Sequence, residues 1–199
     1  MSSAAAEIMS QLILLGEGIT LRPARYRDRS HWNNVRAENK EWLSPWEATL
    51  PQIPQDSPAY QDHGLRPSFF EMVQTLHREA RAGRSYSFFI WEGKNLIGQI
   101  TMGGVMLGAL RGAHIGYWID RHYANRGYTT QAVKLVTAFG FAQLGLHRIE
   151  INVRPENGAS CRVAEKAGYH VEGERKAFLH IDGAWRDHIC FVKTNDLIQ

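Results

Sequence analysis

The segment from Gly112 to Gly145, GAHIGYWIDRHYANRGYTTQAVKLVTAFGFAQLG, constrains this chain more than any other. Its first part, Ala113 to Ile119, is rich in aromatic and branched residues and reads as a strand. Arg126-Gly127 supplies a turn, and Thr129 or Thr130 is placed to cap the helix that follows. Within that helix Ala132, Val133, Val136, Phe139 and Gly140 recur at three- and four-residue spacing, and Gly145 stands where a glycine ends a helix. A basic, glycine-containing turn that feeds a helix aims free backbone N–H groups and the positive end of the dipole at one point, which makes an anion site. The same arrangement also serves purely structural roles, so the remainder of the chain has to decide.

Upstream, Leu12 to Leu15 and Ile19 to Arg22 read as a strand or hairpin broken at Gly16 and Gly18. Asp28 is placed to cap a helix running to about Asn39, with Trp32 and Val35 on one face. Trp42-Leu43-Ser44-Pro45-Trp46-Glu47 reads as a loop, and the prolines from Pro51 to Pro67 mark a surface loop. Ser68 caps a second helix, in which Phe69, Met72, Val73 and Leu76 keep helical spacing until Gly83. From Ser85 the period becomes that of strands. Tyr86 to Trp91, Leu96 to Val105 and the Ala113–Ile119 segment form an antiparallel meander, with bulges expected at Gly98, Gly103 and Gly104. Ile149 to Val153 is the next strand, reached over a helix and therefore parallel to Ala113–Ile119. Gly158 to Ala167 is a short helix with Asn157 near its start. Tyr169 to Ile181 and Ala184 to Lys193 form a hairpin around Asp182-Gly183.

At 199 residues the chain is most simply one domain, with residues 1–11 frayed. A hydrophobic fraction of 44% and a charged fraction of 22% fit a globular protein. The formal net charge of +3 suits anionic small ligands and carries no nucleic-acid footprint. Cys161 and Cys190 give no disulfide framework and read as buried thiols in a reducing compartment. No secretory leader, no apolar run of about 18 residues and no metal site are read, so a cytoplasmic protein without membrane contact is expected. Most of the nine histidines read as surface residues.

Three motifs carry a family resemblance. Ala124-Asn125-Arg126-Gly127-Tyr128-Thr129 resembles the acetyl-CoA pyrophosphate loop of the GNAT superfamily of N-acetyltransferases, Arg/Gln-x-x-Gly-x-Gly/Ala. Gly127 matches, while Ala124 and Thr129 depart from the first and last positions. Asn157-Gly158-Ala159-Ser160 with Glu165-Lys166-Ala167-Gly168-Tyr169 looks like the family's Asn-x-x-Ser…Lys-x-Gly-Phe signature. Ile181-Asp182-Gly183-Ala184-Trp185-Arg186-Asp187-His188, together with Trp42-Leu43-x-Pro45-Trp46-Glu47, resembles the ribosomal-protein-alanine N-acetyltransferases. The element order is similar to the GNAT fold over nearly the whole chain.

The resemblance implies an α/β mixed sheet, mostly antiparallel, with a splayed parallel strand pair and flanking helices. It implies acetyl-CoA as cofactor, its pyrophosphate on Arg126, Gly127, Tyr128, Thr129 and Thr130 and its pantetheine along Tyr117, Trp118 and Ile119. Asn157 and Ser160 fall near the thioester. Ala164 stands where many relatives place a tyrosine acid, so Ser160 or water takes that part. Asn152 stands where some relatives carry a glutamate base, which leaves Glu47, His114 and Glu150 as candidates. The expected reaction is acetyl transfer to an α-amino group, that of a protein N-terminus such as a ribosomal protein's. Two other readings stay open: a GNAT enzyme for a small amine, and a non-catalytic acyl-CoA-binding module. Monomer and homodimer are both compatible with the chain.

Overall fold

The computed structural model describes residues 12–53, 57 and 67–197. Strands β1 (Leu14–Leu15) and β2 (Thr20–Arg22) pair antiparallel. Helix α1 (Arg29–Glu38), a single turn α2 (Lys40–Leu43) and a 3-10 turn over Ser44–Trp46 follow. Helix α3 (Phe69–Arg81) leads to the meander β3 (Tyr86–Glu92), β4 (Asn95–Met106) and β5 (Gly112–Ile119). Helix α4 (Tyr128–Leu144), strand β6 (Arg148–Val153), helix α5 (Gly158–Lys166) and the hairpin β7 (His170–Ile181) and β8 (Ala184–Thr194) complete the chain. The strands form one sheet in the order β1-β2-β3-β4-β5-β6-β8-β7. All neighbours are antiparallel except β5 and β6.

The sheet's position follows from β3, where Tyr86 to Trp91 are all buried. Tyr86, Phe88 and Ile90 face one core with Ala132, Val133, Val136 and Phe139 of α4. Phe89 and Trp91 face the other, with Val35 of α1 and Phe69 and Val73 of α3. A strand apolar on both faces must be central, since exposing either face would forgo about 1.5–3 kcal/mol per large side chain. The chain meets this by placing helices on both sides.

Several local expectations are met. Ser68 caps α3 in a reciprocal box, accepting from Glu71 N (3.3 Å) while Glu71 accepts from Ser68 N (2.7 Å). The β4–β5 register shifts between Gly103 and Met106. Gly98 lies so close to β5 that a Cβ there would stand 2.4 Å from the Trp118 carbonyl oxygen.

Other expectations are corrected. The Trp42–Glu47 segment is helical over most of its length, because Pro45 sits at a helix start where its missing N–H is harmless. Gly127, not Thr129 or Thr130, caps α4, and both threonines lie in its first turn. Asp28 precedes α1 but makes no side-chain cap. The expected fraying of residues 1–11 and most of the expected loop from Pro51 to Pro67 lie outside the described residues. No helix among the described residues is long and apolar enough to cross a membrane.

Asp28 instead ties β2 to the start of α1. Its carboxylate accepts two bonds from Arg22 (2.7 and 2.8 Å) and one from the Arg25 N–H (2.8 Å). Burial pushes the Asp28 carboxyl up, but these hydrogen bonds and the neighbouring positive charges outweigh it and hold it below its usual value of 3.8. A depressed carboxylate contributes stability above its unfolded pKa and loses it as pH falls through the folded one. Asp28→Asn is expected to cost about 2–3 kcal/mol at pH 7. In urea unfolding the gap to wild type should shrink steadily below about pH 4.

Candidate active site

The site begins at the first turn of α4. Gly127 there has φ 82° and ψ −9°, a conformation that costs other residues about 1–2 kcal/mol. The first N–H to bond back is that of Gln131, to the Gly127 carbonyl at 3.0 Å. The amides of Tyr128, Thr129 and Thr130 therefore have no partner in the helix, and no side chain caps them. These residues line a cavity of about 1000 Å³ together with Tyr117, Trp118 and Ile119 of β5.

Three basic side chains join the lining: Lys134 of α4 and Arg162 and Lys166 of α5. Lys166 belongs to the Lys-x-Gly-Phe-like motif, whereas Lys134 and Arg162 stood outside every motif. Lys134 lies one helical turn beyond Thr130, and Arg162 and Lys166 repeat at i, i+4, so helical spacing could have found them. The Arg126 side chain turns to Tyr123. Its guanidinium lies 5.1 Å from the centre of the Tyr123 ring and does not line the cavity.

Strands β5 and β6 pair over only three positions, Gly112 to His114 against Arg148 to Glu150. Beyond them β5 continues on β4 as far as Ile119, and β6 on β8 as far as Val153. The two parallel strands therefore fork, and the β6-facing edge of β5 is left open. Helix α5 starts at the mouth of the fork. Asn157 Oδ1 caps it by accepting from Ser160 N at 3.0 Å, which leaves the amide's N–H groups to donate. The Tyr117 hydroxyl donates to the Ser160 carbonyl at 3.2 Å. Burial raises the Tyr117 pKa far above neutrality, so the phenol stays protonated. The Ser160 hydroxyl has no hydrogen-bond partner among the described residues.

A second cavity, of about 210 Å³, lies behind the first, and Trp46, Tyr117, Asn157 and Ser160 line both. Its roof is the Trp46–Ala48 segment laid against the β7–β8 hairpin. That segment is stitched there by Asp182 N to Glu47 O (3.1 Å), Thr49 N to His180 O (2.9 Å) and an Ala48–Ile181 bridge. Arg154 braces it, donating to the Pro45 carbonyl at 2.7 Å with its guanidinium 5.2 Å from the Trp46 ring centre.

None of the three candidate bases lines either cavity. The Glu47 carboxylate is paired with Arg36 of α1. Glu150 is held by Arg148 (2.9 Å) and Arg175 (2.8 Å). Burial pushes its carboxyl up, but those two arginines outweigh it and keep it ionised and engaged. His114 lies opposite Glu150 in register, against Gly103 and Gly104. Desolvation lowers its pKa, partly offset by Glu150.

His188, the last residue of the hairpin motif, was given no role from the sequence. It is 3% exposed, lines the second cavity, and belongs to a strand whose alternation was not followed residue by residue. Asn152 lines the same cavity, and its Oδ1 is buried without a hydrogen-bond partner.

Comparison with known proteins accords with this geometry. Residues 19–170 match a family model described as an acetyltransferase (GNAT) domain. The probable N-acetyltransferase YjcK of Bacillus subtilis (strain 168) is 34% identical over 178 residues, covering 88% of this chain and 93% of its own. The [ribosomal protein uS5]-alanine N-acetyltransferase of Escherichia coli (strain K12) is 27% identical, covering 84% of each chain. The structure of Mycobacterium smegmatis RimJ in complex with CoA-disulfide superposes with a TM-score of 0.79 at 35% identity, covering 90% of this chain and 83% of that one.

The αL conformation of Gly127 leads to a binding prediction. Gly127→Ala relaxes the turn away from φ 82°. Coenzyme A binding measured by calorimetry should weaken by about 5- to 30-fold, the equivalent of about 1–2 kcal/mol.

Proposed function

Because the chain belongs to the GNAT acetyltransferase family and is an acetyl-CoA-dependent N-acetyltransferase, we propose that its acceptor is the α-amino group of a protein's N-terminal residue, of the alanine or serine type, as on a ribosomal protein. The large cavity suits acetyl-CoA. The unpaired amides of Tyr128, Thr129 and Thr130 can hold its pyrophosphate, with Lys134, Arg162 and Lys166 adding positive charge. The open edge of β5 offers backbone groups to the pantetheine arm. When bound, acetyl-CoA supplies an electrophilic thioester carbonyl and a thiolate leaving group.

The residues shared by the two cavities then define where acyl group and amine meet. Asn157 and Tyr117 hold the start of α5 in place, and the unpartnered Ser160 hydroxyl is the donor available to the leaving sulfur. A thiol pKa near about 8.5 makes a weak donor sufficient.

One observation carries the choice of acceptor: no carboxylate lines the second cavity among its described residues, and Glu47 and Glu150 are both tied to arginines. Such a site favours an amine that is easily deprotonated. An α-amine has a pKa of about 7.7–8.0 against about 10.4 for lysine, a difference of about 3.4 kcal/mol. The likeness to the uS5-alanine acetyltransferase supports the same acceptor. The binding-module reading has no support here, since the family and its relatives are acetyltransferases.

Thiol release from acetyl-CoA, followed against a panel of amines, tests the proposal. Transfer is expected to peptides with free N-terminal alanine or serine and not to an N-blocked lysine peptide. Turnover confined to small amines would replace the acceptor. In Ser160→Ala we expect kcat to fall about 10- to 100-fold with coenzyme A affinity unchanged; a wild-type kcat removes Ser160 as the donor.

A further inference from the structure

We propose that His188 is the proton acceptor for the incoming amine and that Asn152 orients that amine beside it. This rests on the reading that an amine is acetylated where the two cavities meet.

The geometry fixes the tautomer. His188 Nδ1 lies 3.0 Å from the Arg186 carbonyl oxygen. A carbonyl cannot donate, so Nδ1 carries the hydrogen and Nε2 presents a lone pair. Nε2 has no hydrogen-bond partner among the described residues. The Phe178 ring packs edge-on at 5.7 Å and restrains the imidazole. Among the described residues that line the second cavity, His188 alone is of a type that ordinarily titrates near neutrality.

Asn152 supplies an independent observation. Its Oδ1 is a buried acceptor with no donor, and leaving one unmet costs about 1–3 kcal/mol. An amine N–H entering the cavity is the kind of donor that would satisfy it. Asn152 pairs in register with Cys190, two residues along β8 from His188, so both side chains project from the same face of the sheet.

The charges facing the ring are mixed. Burial chiefly lowers the His188 pKa below 6.5, and Arg154 adds to the lowering. The Arg186 carbonyl, Glu156 and Asp187 act in the opposite direction. Arg175 stands opposite on β7, itself paired with Glu150. The imidazole is therefore neutral at pH 7, as an acceptor must be.

In the step, Nε2 takes one proton from the substrate ammonium. The freed nitrogen lone pair forms the bond to the thioester carbonyl carbon, and the carbon–sulfur bond breaks. The nitrogen's second proton passes through the Ser160 hydroxyl to the thiolate, and His188 returns its own proton to water.

The test is the pH dependence of kcat/KM for an alanine N-terminal peptide in wild type and His188→Gln, with coenzyme A affinity as the check on folding. Wild type should be level between about pH 6.5 and 7.5, because it uses the abundant ammonium form. His188→Gln should be about 100-fold slower at pH 7 and should rise about tenfold per pH unit toward the amine's pKa. An unchanged profile in the variant overturns the proposal, as does a loss that is uniform with pH. If His188→Gln fails to bind coenzyme A, Asn152→Ala carries the test. Peptide affinity for the coenzyme A complex, measured by calorimetry, should fall at least fivefold, and undiminished affinity overturns the assignment. If wild type acetylates only a small amine, the α-amine reading falls and the same profiles on that amine decide the part played by His188.

Discussion

The fork between β5 and β6 is the constraint on which the rest of the site depends. Two adjacent parallel strands share three paired positions and then part. Parting leaves strand-edge groups unpaired, which a sheet interior normally forbids. It is tolerated because each strand keeps a full antiparallel partner on its other side, β4 for β5 and β8 for β6. The start of α5 stands at the open end, pinned to β5 by the Tyr117–Ser160 hydrogen bond. Paired on their outer sides, the two strands hold the cleft's backbone groups in fixed positions relative to the start of α5.

Charge is distributed around that cleft with a consistent logic. On the cofactor side the free amides of α4 share the lining with Lys134, Arg162 and Lys166. On the acceptor side, ionised carboxylates are withdrawn into pairs: Glu47 with Arg36, Glu150 with Arg148 and Arg175. What remains is a neutral lining of Tyr117, Asn152, Asn157, Ser160 and His188, with Arg154 occupied by Pro45 and Trp46. With no carboxylate among the described lining residues, proton removal falls to a weak base, which takes a proton far more readily from an α-ammonium than from a lysine ammonium. The acceptor preference proposed here comes from that difference, worth several kcal/mol for groups about 2.5 pKa units apart.

The Trp46–Ala48 segment links the two halves of the site. It is far in sequence from the β7–β8 hairpin, yet backbone bonds from Glu47 and Thr49 stitch it to Asp182 and His180. Trp46 consequently touches both cavities. This segment and the hairpin together carry the resemblance to the ribosomal-protein-alanine N-acetyltransferases, and the fold brings them into contact.

The sequence by itself determined what local physics controls. Alternation and helical spacing gave the element order, Ser68 announced a cap, and Asp182-Gly183 announced a hairpin. Arg126-Gly127 ahead of a helix marked the free amides of Tyr128, Thr129 and Thr130, because they lie within one turn of it. Asn157 and Ser160 were legible for the same reason, being three residues apart on one helix start. Tertiary structure decided the rest. Whether Glu47, Glu150 or His114 is free to take a proton depends on Arg36, Arg175 and a backbone approach from β4, contacts that no spacing encodes. His188 gained its place only when β8 lay beside β6 and the hairpin closed over the fork. Burial and pairing belong to the assembled sheet, whereas periodicity and capping belong to the chain.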